Sequence, residues 1–329
     1  MTTPYAPPLL AQAIYNPSVG AFGQPVAYIS PSQWEYAPTG IDASNLVEEG
    51  SGQSQTQALY DLIASASDWA DRICMGADAS AKGASLCATM SVEQMMVKQL
   101  QGELRLICDY KPVIAVTGLS LGSGPGNLQG VTPAVAQAIW VNGKIIHVPM
   151  YLVSGSFSST SLVGSPVNWR GQVYAVWSYV NGYPHTYLTA NASKGAVSLT
   201  LFPTGPSNTL YGLFAGSQMT IVDGVNTETV TLTATPTTNV VACTATANAH
   251  TVPVAPDFLP VTCLPADVRR AVIYLVNTLI KSRGDGGFEI SEEGEPTQTK
   301  AGEANDATRD LAMALDLLEP FRIAVKQKT

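Results

Sequence analysis

Apolar residues recur at three- and four-residue steps between positions 58 and 73, which is the period of a helix with one buried face. Ser54 or Thr56 can cap the start of this helix, and Gly76 can end it. Trp69 is the largest side chain on the apolar stripe, so we expect it to lie in the core. The pattern predicts a helix over about 54–75.

Two further helices are predicted near the end of the chain. Pro265 suits the first position of a helix, and the apolar stripe that follows it stops at Gly284. Another apolar stripe ends just before Pro320, which cannot continue a helix. These signals predict helices over about 265–283 and 306–319.

Between the first two helices the apolar pattern changes to a period of two, which is typical of strands. In residues 81–160, the dipeptide Asn142-Gly143 favours a tight hairpin turn. In residues 161–262, Thr-rich strands alternate, and Asp223-Gly224 separates two of them as a turn signal. The second region therefore predicts a small β-sandwich or barrel with one solvated face.

Residues 1–27 contain five prolines, a density that excludes a regular helix or a central strand. An extended arm and a disordered terminus both fit this composition. The arm is favoured because the segment holds apolar side chains that could dock on a neighbour, whereas disordered tails usually lack them. These side chains are Tyr5, Leu9, Leu10, Ile14, Tyr15 and Phe22.

The predicted fold class is α+β, with one discontinuous helical domain interrupted by β-hairpins and by the sandwich or barrel insertion. Amphipathic helices cannot bury their stripes alone, so the three helices are expected to pack together. The predicted organisation is an arm (1–27), the first helical part (28–80), a hairpin region (81–160), an inserted β-domain (161–262), and the second helical part with a C-terminal tail (263–329).

Composition narrows the function. The net charge is 17 − 25 = −8, and charged residues make up only 13% of the chain. An acidic chain is poorly suited to grip a phosphate backbone, although an acidic wall could surround DNA and let it slide. Low charge fits either surfaces that partners cover or a large β-domain with Thr/Ser-rich faces. No apolar run is long enough for a membrane span, and no secretory signal is visible.

Motifs for catalysis or metal binding are missing from the sequence. The five cysteines have neither knuckle nor redox spacing, so we expect buried free thiols. His147, His185 and His250 are far apart in sequence, and each is expected to be a surface or satisfied core residue. The acidic segment 285–295 lacks the ligand order of a calcium loop and is predicted to be solvated. We therefore expect neither an enzyme nor a bound cofactor or metal.

Several short motifs resemble the head-to-tail adaptors (connector proteins) of long-tailed bacteriophages, in particular those of actinobacterial phages. They cover 28–160 and 263–329, and their order and spacing carry the resemblance more than any single one does. The long segment 161–262 departs from the minimal adaptor. The motifs are Tyr28-Ile29-Ser30 with Gln33-Trp34-Glu35, the lead into the first helix at 41–47, the helix end "A-S-x-W-x-D-x-x-C" within 64–74, the hairpin at 102–106 and 109–116, the helix start at 264–271, and "L-L-x-P-[FY]-R" at 317–322.

The resemblance implies a structural virion protein at the virion neck, assembled in the host cytoplasm. Adaptors form a ring, usually of twelve copies, between the portal and the stopper or tail-tube proteins, and DNA passes through the ring during ejection without sequence-specific contact. We hypothesise that the acidic loop faces the DNA channel and that the tail docks on the portal. The loop residues are Asp285, Glu289, Glu292, Glu293 and Glu295, and the tail residues are Phe321, Arg322, Ile323, Val325, Lys326 and Lys328.

Two alternatives remain open. The chain could be another neck or tail component, such as a stopper or a tail terminator, although these are usually shorter and mostly β. It could also be a carbohydrate-binding decoration module, because clustered aromatic rings can stack on sugars. The aromatic residues in question are Trp169, Trp177, Tyr179 and Tyr183.

Overall fold

The computed structural model describes residues 27–41, 46–47, 52–76, 84–98, 103–131, 137–149, 172–205, 209–284 and 301–323. It has the predicted α+β class, with several antiparallel sheets and few helices. The chain divides into two compact units. Residues 88–182 form one, the sheet unit, and the described residues up to Cys87 and from Tyr183 onwards form the other, the mixed unit.

The mixed unit contains four helices. They are α1 (Pro31–Glu35), α2 (Gln55–Met75), α3 (Ala266–Gly284) and α4 (Ala301–Leu318). The last three confirm the predicted helices, with α4 starting about one turn earlier than expected. As predicted, Ser54 caps α2 by accepting the N–H of Gln57, and Gly76 ends it with a φ of 59°.

Helix α3 packs against both α2 and α4. The buried stripe of α2 includes Leu59, Leu62 and Ile63, but Trp69 is only partly buried, so its predicted place in the core was wrong. The small Ala66 and Ala70 occupy the centre of this face instead. The stripe of α3 is buried throughout, at Val268, Ala271, Val272, Leu275 and Val276.

Short strands form the rest of the mixed unit. One sheet has the order β11-β10-β13-β8, and a two-stranded sheet pairs β12 with β9. A shared core of aliphatic side chains, including Leu188, Leu201, Ile221 and Val261, is almost fully buried beneath them. The strands are β8 (His185–Tyr187), β9 (Ser198–Thr200), β10 (Gln218–Ile221), β11 (Glu228–Thr231), β12 (Val240–Ala242) and β13 (Pro260–Thr262).

The described part of the sheet unit contains two antiparallel sheets, ordered β1-β7-β3-β4 and β2-β6-β5. The predicted hairpin is present as β5 and β6, and its two-residue loop begins at Gly143 with a φ of 62°. The strands are β1 (Thr89–Lys98), β2 (Glu103–Ile107), β3 (Val113–Gly122), β4 (Gln129–Gly130), β5 (Trp140–Asn142), β6 (Ile145–Pro149) and β7 (Gln172–Asn181).

Strand β7 lies in the stretch that the sequence assigned to the inserted domain 161–262, but it is the centre of the sheet unit. It pairs with β1 along ten residues and with β3 on its other side. Val173, Ala175, Trp177 and Tyr179 share its buried face. The division between the units therefore falls after Gly182 rather than near residue 160.

Candidate functional site

The tail that was predicted to dock on a portal begins with residues that contact other parts of the same chain. The Phe321 ring lies edge-on to the Tyr183 ring, with centroids 6.2 Å apart. The backbone N–H of Ile323 donates to the carbonyl of Cys74, the penultimate residue of α2, at 2.8 Å. The fold thus holds both Phe321 and Ile323 against the mixed unit.

Arg322 points to solvent and pairs with Glu319 one turn earlier, at 2.8 Å. It is the one predicted docking residue that is both described and largely exposed. The remaining predicted docking residues, Val325, Lys326 and Lys328, lie outside the described residues, as do all five acids of the predicted channel loop: Asp285, Glu289, Glu292, Glu293 and Glu295.

A buried polar network ties the segment before α1 to α2. The hydroxyl of Tyr28 donates to Oδ1 of Asp71 at 2.6 Å, and the same oxygen accepts the backbone N–H of Leu86 at 2.8 Å. The Ser85 hydroxyl lies 2.9 Å from the Tyr28 oxygen, and the Tyr28 N–H donates to Ser67 at 3.0 Å. All these polar side chains are buried.

Asp71 is the ionisable centre of this network. Burial raises the pKa of Asp71 to about 7, although its hydrogen bonds to Tyr28, to Leu86 and to Ser85 act in the opposite direction. A carboxyl group with such a pKa changes its charge near neutral pH. Its helical position was predictable from the sequence, but no local pattern indicated its burial.

The α1 segment is also anchored to α3. The indole N–H of Trp34, which is buried, donates to Oδ1 of Asn277 at 3.1 Å. The Ser32 hydroxyl donates to the carboxylate of Asp257, and Ser30 caps α1 by accepting the N–H of Gln33. Tyr28, Ser30 and Trp34, three of the residues quoted for the family resemblance near the start of the chain, are therefore packing or hydrogen-bonding anchors.

His185 is a satisfied core histidine, as expected. Its Nε2 lies 2.9 Å from the carbonyl of Ala27, which can only accept, so Nε2 carries the proton. Nδ1 then accepts the hydroxyl of Thr262 at 2.9 Å. Burial lowers the pKa of His185 to about 4, which keeps the ring neutral at physiological pH.

His250 lies between two carboxylates and is fully buried. Its Nδ1 is 2.8 Å from Asp223, and its Nε2 is 2.7 Å from Glu228. Burial raises the pKa of Glu228, but bonds from the N–H groups of Ala247 and Asn248 and from His250 outweigh it, so the pKa is lowered overall. Both ring nitrogens are occupied, which leaves neither open to act as a base on a substrate.

The third histidine lies in the sheet unit. Nδ1 of His147 is 2.7 Å from Glu103, which also accepts from Arg105 at 2.9 Å. The partly exposed Trp140 ring stacks on the imidazole, with centroids 3.6 Å apart and planes 5° from parallel. His147 is thus covered by the indole, and the cluster stabilises the β5–β6 hairpin. Each histidine has its own set of partners.

The aromatic residues that suggested a sugar-binding platform do not form one. Trp177 and Tyr179 are buried in the core of the sheet unit, and Tyr183 packs against Phe321 in the mixed unit. Trp169 lies outside the described residues. Rings with buried faces cannot stack on a sugar, so the structure gives this alternative no support.

The most exposed apolar strand belongs to the sheet unit. Strand β1 ends its sheet, and within the described residues no strand pairs with its outer side. Val92, Met95 and Met96 expose 41%, 43% and 38% of their surfaces. We call residues 92–98 the open edge of β1. This edge was not predicted from the sequence, although the apolar run Met95-Met96-Val97 indicates it.

All five cysteines are free and four are buried, as expected. No group of three or more potential ligands among the described side chains could hold a metal ion. The described helices also include none with the length and apolar content needed to cross a membrane. No protein-family model, curated protein or solved structure matches the chain. The proposed function therefore rests on the geometry and on the sequence motifs.

Proposed function

We propose that the protein is a head-to-tail adaptor, a structural subunit of a ring that joins the portal of a long-tailed phage to its stopper or tail-tube proteins. The ring, of about twelve copies as the resemblance implies, would surround the DNA path at the virion neck. This proposal includes the finer fold prediction, in which the helices form one discontinuous domain around inserted strands.

The supporting observation is that residues from separate motifs of the resemblance meet in the fold. Tyr28, from the first motif, bonds Asp71, from the motif that ends α2. The last motif contributes Phe321, and the chain that follows it returns to α2 through Ile323 and Cys74. A fold shared with the adaptors requires that motifs distant in sequence pack in one core.

The exposed surfaces fit assembly better than catalysis. The open edge of β1 is largely apolar, and no strand of the described ranges pairs with it; natural proteins usually cover or charge such edges because they invite pairing with another chain. The first charged residue of the chain is Glu35, so its first 34 residues can approach a neighbour without repulsion. Each histidine is engaged in structural contacts instead of lining a site.

The decisive experiment is to locate the protein in assembled particles. We expect mass spectrometry to find it in purified virions, and electron microscopy of a portal co-assembly to show it as a ring on the tail side of the portal. A ring directly below the adaptor layer would favour a stopper, and a ring at the head-proximal end of the tail tube, below the stopper, would favour a terminator. Absence from virions, together with a monomeric state in the presence of the portal, would refute a neck function.

A further inference from the structure

The open edge of β1 has the properties of a strand acceptor. The edge carries two charged residues. Lys98 lies at its end, and the carboxylate of Glu93 accepts the hydroxyl of Tyr179 and, at 2.8 Å, the backbone N–H of Asp109, so the stretch between them has no charge that would block pairing. Met95 and Met96 point to opposite faces of the sheet and are both exposed. A strand added here would cover apolar surface on both faces.

The start of the chain supplies a segment that matches this edge. Leu9–Asn16 is an eight-residue run free of proline and of charge, bounded by Pro8 and Pro17. Its length matches the seven residues of the open edge, because paired strands advance by about 3.4 Å per residue. The flanking prolines, which cannot donate to a ladder, would limit the pairing to this run.

We infer that residues 9–16 of one copy add as a strand to the open edge of β1 of a neighbouring copy. The inference rests on the proposed function, since it names the contact that links ring subunits. Each subunit carries one such donor and one such acceptor. A head-to-tail contact of this kind leaves no donor or edge unused when the ring closes.

The linker between the donor and the fold is long enough for an exchange between copies. Ten residues, 17–26, separate the run from Ala27, whose carbonyl accepts from His185 in the mixed unit. Fully extended, ten residues span up to about 35 Å. Pro17 and Pro25 favour extended backbone within this linker.

Disulfide cross-linking between differently marked copies tests the inference. One full-length protein would carry Ile14→Cys, and a second, of different tagged mass, would carry Gln94→Cys, Val92→Cys or Met96→Cys to sample three registers. After co-assembly and mild oxidation, we expect a cross-linked heterodimer with at least one register. Val254→Cys, at an 88% exposed position in the mixed unit, is the matched control, and it should give at least tenfold less product.

Two results would overturn the inference. One is the absence of heterodimer above the control level with all three registers. The other is a double variant, Ile14→Cys with Met96→Cys, that cross-links only within single chains when it is diluted with unmarked protein. If rings still form and join heads to tails when no cross-link is found, the contact is refuted but the adaptor function is not. Absence from virions would refute the function alone.

An edge-blocking variant gives a second readout. Met96→Lys places a charge on the edge, and we expect it to raise the concentration needed for ring assembly by tenfold or more without changing the circular dichroism of the subunit. Deleting residues 1–16 should have the same effect, and combining the two should add little further, because both remove one contact. Val254→Lys should leave assembly unchanged. Additive losses would contradict pairing between the two segments.

Discussion

Replacement of Asp71 by asparagine should make the protein more stable above neutral pH. Asparagine keeps an oxygen that can accept from Tyr28 and Leu86, as Asp71 Oδ1 does, but it never carries a charge. The pKa of Asp71 is about 7 in the folded protein, against 3.8 when it is exposed. The folded state therefore holds a proton that the unfolded chain has already lost.

The direction of the effect follows from this difference. The stabilising contribution of Asp71 is fully present below about pH 3.8, where the group is protonated in both states, and it is lost as the pH rises through about 7. Each pKa unit corresponds to about 1.4 kcal/mol, so the wild-type protein should lose on the order of 4 kcal/mol relative to Asp71→Asn between these limits.

Urea unfolding followed by circular dichroism between pH 4.5 and 8.5 would measure the difference between the two proteins. His185, whose pKa is lowered to about 4, makes the opposite contribution over part of this range, but it is common to both and cancels. Asp61→Asn, an exposed change on the same helix, is the control and should show no such pH dependence. If the difference in the free energy of unfolding between the wild type and Asp71→Asn stays constant with pH, the pKa of Asp71 is not raised.

Four other predictions concern two buried side chains, the C-terminal tail and the acidic segment. Relative to His185→Gln, the wild type should lose on the order of 3 kcal/mol of stability as the pH falls from about 6.5 to 4; a difference between the two proteins that stays constant in urea unfolding would contradict it. Trp34→Ala should cost about 3–5 kcal/mol and Trp69→Ala clearly less, so equal melting shifts would contradict the assigned burial. Deleting 324–329 should leave melting unchanged but block portal attachment, and joined heads and tails would refute that role. Neutralising the five acids of 285–295 should hardly change the free energy of unfolding, and a loss above about 1 kcal/mol would show that they are not solvated.

Local signals predicted the helices well. The caps of α2 and its apolar period lie within one stretch of chain, so residues 54–76 contain all the information that sets its limits. The Gly143 hairpin is local for the same reason. The burial of Trp69 was not predictable in this way, because a wide stripe shows which face turns inward but not which of its side chains lies at the rim.

The pairing of strands that lie far apart along the chain could not be predicted from the sequence. Strand β7 follows the 81–160 region, yet it pairs with β1 more than seventy residues earlier. The pattern of apolar and polar residues in β7 does not show whether it pairs with earlier strands or with the strands that follow it. The Asp71 network has the same character, because Tyr28 and Ser85 approach from 43 and 14 residues away along the chain.

The low charge of the chain has two structural origins, one in each unit. In the mixed unit, threonine takes the place of charged residues on solvated strand faces. The hydroxyls of Thr220 on β10 and Thr229 on β11, for example, lie 3.3 Å apart. In the sheet unit, Met95 and Met96 leave an apolar stretch of edge between Glu93 and Lys98. The first feature needs no partner, whereas the second would favour uncontrolled aggregation unless another chain covered it. The composition thus supports both a threonine-rich β-domain and an assembly surface, and only the latter bears on function.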